Sequence, residues 1–134
     1  PTIFSYEGEA GFRQREQKAI QELSGLSGIV MATGGGAILR PENREALKNT
    51  GYIVYLHCSI DKILFRTRHD TQRPLLQTAH PRQRLQSLLA EREPLYLECA
   101  NFSIDSGVIA NKTIVKTILQ HYEAAQAEHE SIIR

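Results

Sequence analysis

A chain of 134 residues with 41% hydrophobic and 23% charged side chains suits one domain with a buried core, which excludes a disordered polymer. A net charge of +1 at pH 7 excludes the strong basic excess of a general nucleic-acid binder. No apolar run approaches the roughly 20 residues of a membrane span, and no leader pattern opens the chain, so no membrane partner and a cytoplasmic location are expected.

The kind of positive charge says more than its total. Six of the Arg fall between Arg66 and Arg92. Guanidinium is a planar fork suited to carboxylate and phosphate, so this stretch fits a small anionic ligand as well as it fits a solvated helix face. Cys58 and Cys99 are far apart, and the five His show no metal-ligand spacing, so neither a disulfide framework nor a zinc site is expected.

Taken in chain order, Phe12, Ala19, Ile20 and Leu23 fall on one helical face, which predicts a helix from Gly11 to Leu23. Gly28 to Thr33 is a short apolar run, as expected of a strand buried on both faces, and it leads into Gly34-Gly35-Gly36. Pro41 and Glu42 mark the start of a helix ending near Lys48. Tyr52 to His57 reads as a second strand. Ser59 can cap a helix carrying Ile60, Ile63 and Leu64. Residues 70–80 lose helical periodicity and read as a loop. Pro81 restarts a helix, which Pro94 is expected to interrupt or bend. Phe102 to Asp105 is a short strand. A last helix carries Ile114, Val115, Ile118, Leu119 and Tyr122, with a polar tail after Glu123 expected to fray or project. Strands alternating with helices predict βαβ units and a parallel sheet.

Four groups of residues carry chemistry. Arg13 and Glu16 stand three apart on one helix face, where a carboxylate can aim an arginine at a substrate carboxylate; the spacing alone equally fits a surface pair. Three glycines at a strand end allow very close approach of the backbone to a ligand. The basic segment Arg66 to Leu76 could close over phosphates or simply be a charged loop. Arg92 lies between Glu91 and Glu93, next to Pro94.

In this order, GExGFRxxE (Gly8 to Glu16), ATGGG (Ala32 to Gly36), RPLL (Arg73 to Leu76) and ERxPLY (Glu91 to Tyr96) resemble the shikimate kinase family. The likeness runs from about Phe4 to about Leu119. It implies a three-layer α/β/α fold with a parallel sheet, of the P-loop nucleoside-monophosphate-kinase type. It also implies transfer of the γ-phosphoryl group of ATP to the 3-hydroxyl of shikimate, in aromatic amino-acid biosynthesis.

By that resemblance Arg13 and Arg92 grip the shikimate carboxylate, and Glu16 orients Arg13. Gly34, Gly35 and Gly36 line the substrate ring. Arg73 sits on a lid at about residues 70–80 and reaches the transferring phosphate. Arg66 packs against the adenine. The family's GxxxxGK(S/T) loop, its Mg2+ ligand and a following acidic segment have no counterpart among these 134 residues. The expectation is therefore a single truncated domain spanning residues 1–134, monomeric and inactive by itself, whose parent uses ATP and Mg2+. A non-catalytic binding module of the same fold, or a related kinase such as a gluconate kinase, remains open at this point.

Overall fold

The structure is a computed structural model that describes the backbone of residues 2–69 and 79–133, with side chains described from residue 8 and up to residue 129. Helix α1 spans Thr2–Ser24 and is broken at Gly8, where φ is 71°. That left-handed geometry suits glycine and strains other residues. After α1 comes a 3-10 turn at Gly35–Leu39, then α2 at Pro41–Thr50, with Pro41 opening the helix as expected. Strand β1 is Val54–His57 and helix α3 is Ile60–Thr67. Ser59 caps α3, its hydroxyl accepting from the Lys62 N–H at 3.2 Å. Then come α4 at Pro81–Cys99, β2 at Phe102–Asp105 and α5 at Asn111–Ile133.

β1 and β2 pair in parallel, with Val54 opposite Phe102 and His57 opposite Asp105. Side chains extend the ladder at both ends. Asn101 Oδ1 accepts from Ile53 N at 2.7 Å, and Ser106 Oγ donates to His57 O at 3.1 Å. Among the described residues the buried apolar side chains come from five of the eight elements: Ile20 of α1, Ala37 and Ile38 of the 3-10 turn, Cys99 of α4, Ile104 of β2 and Ile114 of α5. α1 packs on α2, α4 packs on both α3 and the 3-10 turn, and α5 packs on β2.

Two expectations change. The run 28–33 forms no strand; Val30 is fully exposed and Ile29 is 44% exposed. A strand exists only where a neighbour supplies N–H and C=O groups, and among the described residues β1 and β2 pair only with each other. The described sheet therefore has two strands rather than three. Pro94 lies inside α4 without ending it. Proline has no N–H to offer the carbonyl of Ala90, and Ala90 is an exposed residue. The tail after Glu123 continues as helix to Ile133, with residues 124–129 mostly exposed, as expected of a projecting segment.

Candidate active site

The site assembles where α1, the 3-10 turn and α4 meet. Arg13 and Glu16 lie one turn apart on α1. Arg13 Nη1 donates to Glu16 Oε1 at 2.9 Å, and both side chains are largely buried, 15% and 13% exposed. The guanidinium also sits 5.2 Å from the centre of the Phe12 ring. A carboxylate on one edge and an aromatic ring beside it fix where the remaining N–H groups point.

The glycines lie directly against these groups. A Cβ on Gly36 would stand 2.6 Å from Arg13 Cζ, closer than van der Waals contact allows. Only a glycine leaves the guanidinium its place. A Cβ on Gly35 would come 2.9 Å from Tyr96 Oη and 3.5 Å from Arg92 Nη1, and one on Gly34 would come 3.7 Å from Glu16 Oε2. Arg13, Glu16, Gly34, Gly35, Gly36 and Arg92 are thus neighbours, although they span three elements. Among the described residues Arg92 Nε is buried without a hydrogen-bond partner.

Residues with no assigned role in the sequence reading hold this arrangement. Tyr96 Oη donates to Gly35 O at 2.7 Å. Its ring packs 4.8 Å from that of Tyr55, whose hydroxyl donates to Glu93 Oε2 at 3.1 Å. Burial first, and then the charge and hydrogen bond of Glu93, push the Tyr55 phenol far above its ordinary value, so it stays a donor. Asn43, fully buried on α2, donates to Ala37 O at 2.9 Å, and Arg44 Nη1 donates to Ile38 O at 2.8 Å. Arg40 Nη1 donates to Gln17 Oε1 at 2.8 Å, tying the start of α2 to α1. Tyr96 could have been found from spacing, since it lies four residues beyond Arg92 and shares its helix face. The Asn43 bond carries no local signal.

Arg66 stands apart from this cluster. Its Nη2 donates to Ser106 O at 3.1 Å, beyond the carboxyl end of β2, where open α/β sheets bind ligands. Arg73 and most of the expected lid lie outside the described residues. Among the described residues no group of three or more His, Cys, Asp or Glu could hold a metal ion, and no helix is long and apolar enough to cross a membrane.

Comparison with known proteins supplies the family. A profile described as shikimate kinase matches residues 1–123. The shikimate kinase of Methylococcus capsulatus is 51% identical over 123 residues, covering 92% of this chain and 69% of that protein. The one from Cupriavidus pinatubonensis is 52% identical over 125 residues, covering 93% of this chain and 65% of that protein. This chain thus spans about two thirds of the length of these relatives. Among solved structures, a shikimate kinase from Acinetobacter baumannii in complex with shikimate superposes with a TM-score of 0.88 at 44% identity, over 93% of this chain and 70% of that one. A shikimate kinase from Bacteroides thetaiotaomicron gives 0.76 at 28% identity, over 93% of this chain and 73% of that one. These relatives share the parallel α/β fold of the P-loop kinases, and the chain belongs to the shikimate kinase family.

Proposed function

We propose that the protein containing this chain phosphorylates the 3-hydroxyl of shikimate with ATP. The observation that carries this reading is the meeting of two arginines at a glycine turn, one of them held by Glu16. A small carboxylate needs such a clamp, and the glycines bring bare backbone beside it. The Acinetobacter baumannii relative, solved with shikimate, supports the same substrate.

In the reaction the 3-hydroxyl oxygen bonds to the γ-phosphorus as the bond to the ADP oxygen breaks, and the hydroxyl proton is released. Such a step depends mainly on positioning and charge neutralisation. Arg13 and Arg92 bind the carboxylate, Glu16 orients Arg13, and Gly34, Gly35 and Gly36 line the ring. Arg73, on a lid at about residues 70–80, reaches the transferring phosphate. Arg66, anchored on Ser106 O, lies beside the nucleotide base. These 134 residues contain no GxxxxGK(S/T) loop, so the phosphate cradle and the Mg2+ ligand come from sequence outside them. The parent acts as a monomer in the cytoplasm.

Coupled assay of the full-length protein with shikimate and ATP tests the reading. Turnover is expected, and Arg13→Ala should remove measurable shikimate binding in calorimetry while ATP still binds. Turnover of gluconate in preference to shikimate would overturn the reading. The 134 residues alone should show no turnover in the same assay.

A further inference from the structure

Tyr96 takes no part in the clamp just described, yet it hydrogen-bonds α4 directly to the glycine turn. Its hydroxyl donates to Gly35 O at 2.7 Å, and it sits one helical turn beyond Arg92 on the same helix. It is braced from behind. Tyr55 on β1 packs against its ring at 4.8 Å, and Tyr55 in turn donates to Glu93 on α4 at 3.1 Å. β1, α4 and the glycine turn are therefore coupled through two phenols and one carboxylate.

The consequence follows from peptide geometry. The Gly35–Gly36 peptide is planar and trans, so fixing Gly35 O also fixes the direction of the Gly36 N–H on its opposite side. That N–H lies in the first turn of the 3-10 helix, where backbone donors lack partners within the helix. Gly36 is buried and lies against the Arg13 guanidinium. A donor at this place, oriented in advance, adds to the two arginines without reorganisation when a ligand arrives.

We propose that Tyr96 is a positioning residue for the acceptor substrate. By holding Gly35 O it orients the Gly36 N–H and sets the distance between Arg92 and Arg13. This inference rests on the shikimate reading of the same site. It assigns Tyr96 an effect on the binding of the hydroxy-acid substrate and none on the nucleotide.

The test uses the full-length kinase. Tyr96→Phe keeps the ring and its packing on Tyr55 and deletes only the hydroxyl. The KM for shikimate should rise about five- to tenfold, the size of one lost hydrogen bond. The KM for ATP should stay at the unaltered value, and the thermal midpoint should fall by no more than the loss of one exposed hydrogen bond allows. An unchanged shikimate KM would overturn the proposal. So would an equal rise in both KM values with a lowered thermal midpoint, the mark of a purely structural role. A double-mutant cycle gives an independent readout. Gly35→Ala pushes a Cβ to within 2.9 Å of Tyr96 Oη, so its effect on the shikimate KM should shrink in the Tyr96→Phe background. Strict additivity would mean the two residues do not act through each other, and the proposal would fail. If the unaltered protein does not phosphorylate shikimate at all, the functional reading falls first and this inference with it.

Discussion

Gly36 has the least room of the three glycines in the site, because the Arg13 guanidinium fills the space a side chain would need. Gly36→Ala should therefore act on binding more than on folding, since the group that must yield is the end of a flexible side chain. Displacing Arg13 sacrifices a charged hydrogen bond, worth about 1.5–3 kcal/mol, so shikimate affinity should fall roughly 10- to 100-fold by calorimetry. Tyr55 sets a pH limit. Its folded-state value is raised above the ordinary 10.0, chiefly by burial. The folded state therefore keeps the proton where the unfolded chain releases it. That contribution to stability is complete below pH 10.0 and is lost progressively as the pH rises above it. Urea midpoints measured across that range should fall with pH, and less steeply in Tyr55→Phe. Cys99 acts in the same direction: burial raises its thiol above 9.0, so it should resist alkylation at neutral pH in the folded chain.

At the level of elements, the turn that follows the glycines is held less by its own sequence than by α2. Asn43 donates to Ala37 O from a fully buried position, and Arg44 donates to Ile38 O and Leu39 O. Asn43→Ala would leave a buried carbonyl unpaired and should cost about 1–3 kcal/mol in chemical denaturation. Its shikimate affinity should fall as well if, as proposed, the glycines of this turn line the substrate. Ser59→Ala removes only the cap of α3, a helix remote from the clamp. It should cost about 1 kcal/mol and leave shikimate affinity alone. Comparing the two variants separates support of the site from support of the fold.

On the scale of the whole molecule, the two ends of the site rest on different parts of the structure. The proposed carboxylate clamp joins α1, the 3-10 turn and α4, whereas Arg66 joins α3 to the segment after β2. Arg66→Ala should thus weaken ATP binding while leaving shikimate binding near its starting value, the reverse of Arg13→Ala, as read by separate titrations with each ligand. The exposed run Leu26, Ile29 and Val30 and the exposed Leu56 of β1 form apolar surface that the described sheet does not cover. The 134 residues by themselves should accordingly bind a hydrophobic dye at neutral pH.

Much of this was legible in the residues themselves. Local rules act through neighbours in sequence, so the start of α2 at Pro41, the cap at Ser59, the restart at Pro81 and the strands near Val54 and Phe102 could all be placed in advance. The pairing of Arg13 with Glu16 follows from helical spacing, and the order of the four motifs pointed to the family. The rest depended on what lies across space. The run 28–33 has strand composition, but composition supplies no partner for its N–H and C=O groups. Pro94 can break a helix, but α4 continues through it. The fit of Gly36 against Arg13, the bond from Tyr96 to Gly35 and the burial of Asn43 join residues 23, 61 and 6 positions apart. Sequence by itself determined which residue types were available for an anion clamp. Only the tertiary structure decided that they meet at one turn, because contact over such separations is set by how helices pack and not by the chain between them.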